Sequence, residues 1–289
     1  MSTAEKVELE GFKRWIGRRE ETKDVLLALH VAGLEAMLDR DAALPPKGAA
    51  APPGAHWLIR PRWLRQSELG PDGHPRRGGF MPPVPLPRRM WAGSELRLLQ
   101  PLRVGEEITR RSEIVDVAVK EGRGGQLVFV KVRHEFHGSS GLAESEEQDV
   151  VYREAADPAR PAPEPEPAPA DGPWVRTVMP DPVMLFRYSA LTYNGHRIHY
   201  DQPYATKAEG YPGLIVHGPL LATLLLDLVR REAPGRALER FTFRALAPVF
   251  DTAPFTVSGG PDGNGSQAQV WIKRPDGGLA MRAQASFKA

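Results

Sequence analysis

The chain of 289 residues contains no cysteine. That excludes disulfides, thiolate metal sites and a cysteine nucleophile, and it agrees with a reducing compartment. No apolar run is long enough to span a bilayer, and the polar, acidic stretch Met1–Glu10 lacks the apolar core of a signal peptide. A cytoplasmic chain without a membrane partner is the expectation. A dominant charge is missing as well, since 38 Lys and Arg stand against 36 Asp and Glu, for a formal net charge of +2. The arginines are scattered among acids and form no basic tail, which argues against nucleic acid and for a small-molecule partner. No Gly-rich loop suited to a nucleotide is present, and Gly259 to Gly265 reads as a turn. The histidines are dispersed apart from His196 and His199 near Asp201, so neither a metal nor a bound cofactor is expected.

What the sequence has in quantity is proline and glycine, 29 and 28 residues, unevenly spread. Between Asp157 and Pro173 it reads DPARPAPEPEPAPADGP, an alternation that disfavours helix and sheet and tends to extended polyproline conformation. This linker, 157–173, separates an N-terminal domain, 1–156, from a C-terminal domain, 174–289, each long enough for its own core.

In the first domain the spacing of Leu26, Leu29, Gly33, Ala36 and Met37 predicts one buried helix over Thr22 to Arg40. Pro45 to Pro87 is dense in Pro, Gly and Arg and aperiodic, an excursion long enough to suggest that it lines or covers a cleft. Apolar and β-branched runs at Glu95–Leu99, Glu107–Lys120, Gly125–His137 and Gln148–Arg153 predict antiparallel strands. The same order recurs after the linker. A polar segment leads to a helix over Gly218 to Arg231, nearly all apolar, and then to strands near Arg240–Leu246, Phe255–Ser258, Ala268–Lys273 and Leu279–Phe287. Asp262-Gly263 and Asp276-Gly277-Gly278 supply the last two hairpin turns. Leu220, Leu221, Leu224, Leu225, Leu228 and Val229 leave that helix few polar positions, so a sheet must wrap it. Two halves of this plan make an α+β double hotdog, two antiparallel sheets each wrapped around a central helix.

Phe186 to Gly218 reads FRYSALTYNGHRIHYDQPYATKAEGYPGLIVHG. His199, Asp201, Tyr204, Ala205, Gly213, Ile215, His217 and Gly218 fall on a pattern that resembles the MaoC-like hotdog hydratases and dehydratases. Gly79 to Gly93, GFMPPVPLPRRMWAG, is similar to the two-domain subgroup of mesaconyl-CoA and itaconyl-CoA hydratases and a mitochondrial hydroxyacyl-thioester dehydratase. The resemblance implies a hydro-lyase acting on an enoyl thioester of coenzyme A, with the catalytic loop in the C-terminal domain and the N-terminal domain shaping the acyl pocket.

That chemistry needs a base for the attacking water, an acid for the α-carbon, and donors for a thioester oxygen that gains enolate character. His199 can serve both proton steps. Gly218 opens an apolar helix and offers an unobstructed backbone N–H at the positive end of its dipole. His217 either braces this helix start or touches substrate. Asn194 stands where the wider family has Asp, as it does in the two-domain subgroup. An amide does not titrate, so Asn194 is expected to orient water. Asp201 is expected to steady the loop or the His199 ring, and Tyr204 to border the substrate.

His196-Arg197 replaces the family's Asn-Pro and brings a permanent cation beside His199. A guanidinium can grip a carboxylate bidentately, which suggests a carboxylate-bearing acyl group such as itaconyl or mesaconyl, giving citramalyl-CoA; pairing of Arg197 with Asp201 is the other reading. Arg76, Arg77, Arg88 and Arg89 are candidates for the phosphates of coenzyme A, or for the acidic surface of an acyl carrier protein. A hotdog thioesterase and a non-catalytic acyl-thioester binding protein are the rival functions, and association into a homo-oligomer stays open.

Overall fold

The computed structural model describes residues 10–41, 43–60, 63–122, 125–155 and 164–288. Residues 1–9, 123–124 and 156–163, the last including the first part of the expected linker, lie outside the described residues. The N-terminal half supplies strands β1 (Arg19–Val25), β2 (Arg88–Leu98), β3 (Glu107–Gly122), β4 (Gly125–Gly138) and β5 (Gly141–Arg153). The C-terminal half supplies β6 (Trp174–Val178), β7 (Leu238–Ala245), β8 (Phe255–Pro261), β9 (Gln267–Lys273) and β10 (Leu279–Phe287). The helices are α1 (Glu10–Lys13), α2 (Ala28–Met37), α3 (Pro182–Thr192) and α4 (Gly218–Glu232).

The hotdog architecture is present, with its two sheets fused. All strands join one 10-stranded antiparallel sheet in the order β1-β3-β4-β5-β2-β7-β10-β9-β8-β6. The seam is the β2–β7 pair, where Ser94 faces Phe243 and Leu96 faces Phe241. Leu96, Phe241 and Phe243 are buried there, as alternation on a half-covered sheet requires. A Cβ at Gly93 would come within 2.4 Å of the Phe243 carbonyl oxygen, so glycine lets the two halves close edge to edge.

The unbroken run Leu220–Val229 of α4 is buried, and β6, β8, β9 and β10 pack against it. α2 departs from expectation. Arg19–Val25 is an edge strand paired with β3, its charges taken up by ion pairs such as Glu21–Arg111 and Lys23–Glu107, and the helix begins only at Ala28. Val31, Leu34 and Met37 form its buried face, whereas Leu29 is 69% exposed. Gly33 sits against Leu191 of α3, where a Cβ would meet a methyl carbon at 2.8 Å.

Two smaller expectations are corrected. Gly259 and Gly260 belong to β8, and a Cβ at Gly259 would lie 2.5 Å from the Gln269 carbonyl oxygen; the turn is confined to 262–265. The described end of the linker also enters backbone pairing. Pro167 bridges Gly278, and the Leu279 N–H donates to the Glu166 carbonyl at 2.7 Å.

A buried charge ties the helices to the sheet. Asp227 of α4 is 1% exposed and accepts from Arg40 after α2 at 2.5 Å, from Arg176 of β6 at 2.6 Å and from Arg231 at 2.8 Å. Burial raises its carboxyl pKa, and the hydrogen bonds from Arg231 and Arg40 more than offset this, so the net displacement is downward. A depressed aspartate pKa stabilises the fold above its unfolded value and ceases to do so as pH falls through the folded one. Asp227→Asn should therefore lose about 3 kcal/mol in urea unfolding at pH 7. The gap should narrow as the buffer is taken below the ordinary aspartate range; a gap independent of pH would contradict this account.

Candidate active site

The loop that carries Asn194 and His199 is set by the end of α3. Asp181 caps this helix by accepting the Met184 N–H at 2.7 Å, and Pro182 follows at its first position. The helix stops at Tyr193, whose φ of 53° is left-handed, and the Asn194 N–H closes back on the Ser189 carbonyl at 2.9 Å. Asn194 Oδ1 then accepts the His196 backbone N–H at 3.0 Å. A short 3-10 turn, Arg197–His199, delivers the histidine.

His199 is held on two sides. Its Nδ1 lies 2.7 Å from the Ile215 carbonyl oxygen, an acceptor, so Nδ1 carries the proton and Nε2 keeps its lone pair. Its ring stacks on His217 with centroids 3.6 Å apart and planes at 20°. His217 is fully buried and its Nε2 is 2.8 Å from Ser189 Oγ, so it braces the ring beneath from α3. Burial pulls the His199 pKa down; the bond to Ile215 opposes this and the neighbouring His74 adds to it, with a result of about 4. The imidazole is thus neutral at pH 7, able to accept a proton and quick to return it.

Asn194, His199, Tyr204 and Gly218 line one cavity of about 850 Å³. A Cβ at Gly218 would meet nothing within 4 Å, so the start of α4 is open, and Pro219 beside it has no N–H. The excursion Pro45 to Pro87 does cover the cleft, with Gly70, Pro71, His74 and Phe80 in the cavity wall. It touches the His199 loop glycine to glycine, since a Cβ at Gly73 would fall 1.9 Å from the Gly195 carbonyl oxygen. A second cavity of about 880 Å³ reaches toward the N-terminal sheet and shares Asn194, His74, Trp91 and Pro219 with the first.

Arg197 is committed elsewhere. Its Nε and Nη2 donate to Asp201 Oδ2 at 2.9 and 2.7 Å, its Nη1 to the Pro71 carbonyl at 3.0 Å, and it lies 4.1 Å above the Tyr204 ring. Hydrogen bonds from Arg197 and from the Tyr204 N–H hold the Asp201 carboxyl below its usual pKa. Asp201 thus steadies the loop and not the His199 ring. Tyr204 donates its hydroxyl to Glu209 at 2.8 Å, and Glu209 pairs with Arg88. Arg77 is spent on the carbonyls of Val84 and Pro87, and Arg76 donates Nε to Leu69 at 3.2 Å. Of the four, Arg89 faces the histidines closely enough to lower the pKa of His74 and His196.

Sequence reasoning missed Asp72 and His74, which the excursion brings beside His196. Ligand atoms of all three lie within 4.8 Å of one another, and the His74 and His196 rings are 4.0 Å apart. The set has the geometry to hold a metal ion. Burial lowers the pKa of both imidazoles, that of His196 to about 2, with Asp72 opposing the shift and Arg89 adding to it. The Asp72-Gly73-His74 turn was the available signal, unreadable without knowing what the excursion covers.

The ring environment of His199 is testable by titration. Histidine side-chain NMR, with His199→Gln for assignment, should find one imidazole fixed as the Nδ1–H tautomer and neutral down to about pH 4. A midpoint near the ordinary 6.5 would contradict the buried stack.

The sequence profile of the family described as hydroxyacyl-thioester dehydratase type 2 matches residues 54–251. A Chloroflexus aurantiacus protein named mesaconyl-C(4)-CoA hydratase is 45% identical over 270 residues, 93% of this chain and 95% of its own. The mitochondrial hydroxyacyl-thioester dehydratase type 2 of Schizosaccharomyces pombe is 30% identical over 247 residues, 77% of this chain and 80% of its own. Among solved structures, a MaoC-like dehydratase from Phytophthora capsici superposes with a TM-score of 0.69 at 13% identity, covering 98% of this chain and 99% of that one. A Mycobacterium tuberculosis protein described as a double hotdog fold gives 0.56 at 15% identity over 94% and 96%; both likenesses speak to fold alone. The chain therefore belongs to the hydroxyacyl-thioester dehydratase type 2 family and is a hydro-lyase with a hotdog fold.

Proposed function

We propose that the protein hydrates, and in reverse dehydrates, a carboxylate-bearing enoyl thioester of coenzyme A of the mesaconyl type, with His199 as acid and base. The observation that carries this reading is the His199 ring. Its Nδ1–H is fixed on the Ile215 carbonyl, and the ring lines a cavity that Asn194 and the open start of α4 also line. The choice of acyl group is supported by the relative named mesaconyl-C(4)-CoA hydratase.

In the hydration direction Nε2 takes a proton from water as its oxygen bonds to the β-carbon. The electrons of the double bond move toward the thioester oxygen, where the Gly218 N–H and the α4 dipole meet the developing charge. Nε2–H then protonates the α-carbon, which closes the double-bond addition with no net proton change. Asn194 Oδ1 is occupied by the His196 N–H, so its amide NH₂ is the end left to hold the attacking water. Direction follows concentrations, because both directions share one transition state. Arg89 at the cavity is the favoured partner for the coenzyme A phosphates, with the Nη groups of Arg76 beside it, since Arg77 and Arg88 are bound within the chain and Arg76 spends its Nε on Leu69.

The test is ultraviolet loss of the enoyl-thioester chromophore with mesaconyl-, itaconyl- and crotonyl-CoA. His199→Ala should lower kcat by about 1000-fold, and Asn194→Ala by about 100-fold. Release of free thiol without a hydrated product would overturn the reading in favour of a thioesterase.

A further inference from the structure

The floor of the acyl cavity is polar where a hydrocarbon chain would need it apolar. In the N-terminal half of the sheet, Arg110 of β3, His134 of β4 and Gln148 of β5 line both cavities. Their alignment follows from register. Arg110 is opposite Phe136, and Val132 is opposite Gln148, so the alternate positions 110, 134 and 148 fall on one face of three adjacent strands. Among the described residues, Arg110 is the one cationic side chain common to both cavities.

The hydrogen bonding around it is incomplete. His134 Nδ1 stands 2.8 Å from Ser112 Oγ and 3.2 Å from Arg110 Nη2, and its Nε2 is 3.4 Å from Gln148 Oε1. Burial, then the charge of Arg110, holds the His134 pKa well below its usual value, so the ring is neutral. Arg110 Nη2 is also 3.4 Å from His134 Nε2; in the tautomer that accepts at the nearer Nδ1, Nε2–H donates to Gln148 Oε1 and the Gln148 NH₂ is left to meet a ligand. The Arg110 Nε is sealed from solvent and makes no hydrogen bond.

Two carboxylates, Glu146 and Glu20, act on Arg110 electrostatically. Glu146 has a donor of its own in Ser94 Oγ at 2.6 Å, and His56 stands between Glu144 at 2.8 Å and Glu146 at 3.6 Å. Among the described residues no carboxylate is in ion-pair contact with Arg110, and a buried guanidinium so placed is costly, a cost that an acceptor brought against its Nη groups in the pocket would offset.

We propose that Arg110, with the Gln148 amide, binds the free carboxylate of the acyl group and so selects monothioesters of dicarboxylic acids. This rests on the hydratase reading and moves the selecting cation from Arg197 to the opposite domain. Arg110 acts through substrate position and not through proton transfer, so its loss should fall on carboxylated substrates alone.

The experiment compares kcat/KM for mesaconyl-CoA and crotonyl-CoA in wild type, Arg110→Gln, Arg110→Lys and Gln148→Met. Arg110→Gln should lose about 100-fold on mesaconyl-CoA, with crotonyl-CoA unchanged or improved, and Arg110→Lys should recover part of the loss. Equal losses on both substrates in Arg110→Gln and Gln148→Met would overturn the proposal and leave the arginine a wall of the cavity. A binding arm separates this from failure of the hydratase reading. Calorimetry with methylsuccinyl-CoA against butyryl-CoA needs no turnover and should show a wild-type preference for the carboxylated ligand that Arg110→Gln abolishes. Preference without hydration of any substrate would sink the reaction and keep the carboxylate site; no preference in wild type would sink the site.

Discussion

The hydrogen bond from His199 Nδ1 to the Ile215 carbonyl, 2.7 Å long, is the contact on which the rest of the site depends. It selects the tautomer, and it does so from a segment that cannot easily move. Ile215 donates its own N–H to the Ile198 carbonyl at 3.0 Å and bridges Phe250, while the flanking Val216 and Leu214 bond to Val249 and to the Asp251 carboxylate. A side-chain acceptor in that place could rotate or protonate. A backbone carbonyl locked on both sides does neither, and it offers no negative charge to raise the pKa of the imidazole. Burial against His217 then leaves a neutral ring of low basicity, a fair proton carrier in both directions of a reversible addition.

The fused sheet explains why this ring faces a pocket made by the other half of the molecule. The β2–β7 seam joins the halves through backbone hydrogen bonds, and the close approach at Gly93 keeps them in register. α4 fills the curve of the C-terminal strands. In the N-terminal half the helix is shorter, and Arg110, His134, Glu144 and Glu146 occupy strand positions that would otherwise meet apolar helix side chains. The polarity of the cavity on this side is a property of the strands.

Much of this was legible in the residues. The α4 boundaries and most strands followed from periodicity and turn chemistry, because each is a local property, whereas the grouping of Asn194, His199 and Gly218 was implied by the resemblance of the motif. The start of the expected helix, Thr22 to Val25, is strand instead: Leu26, Leu29 and Met37 suggested a helical spacing, while the pairing that makes Arg19–Val25 a strand lies on β3, far along the chain. α3 went unmarked although Asp181-Pro182 is a cap followed by a first-position proline. Asp72, His74 and Arg110 could not have been assigned to the site, since only tertiary register brings them to it.

The amide at position 194 also gains a physical reason. In a pocket whose floor is built for an anion, a second carboxylate beside the reacting carbon would repel the substrate across a low-dielectric gap, a cost that solvent screening would not relieve. An asparagine keeps the hydrogen bond to the His196 N–H, which shapes the loop, without adding charge. The proton work then falls to one residue, and that residue must be neutral at rest and must not be stabilised as imidazolium by a neighbouring acid. His199 meets both conditions: Asp201, the nearest acid in sequence, is turned away to Arg197. Arg197, two residues before His199, therefore acts on the site by drawing a carboxylate away from that ring.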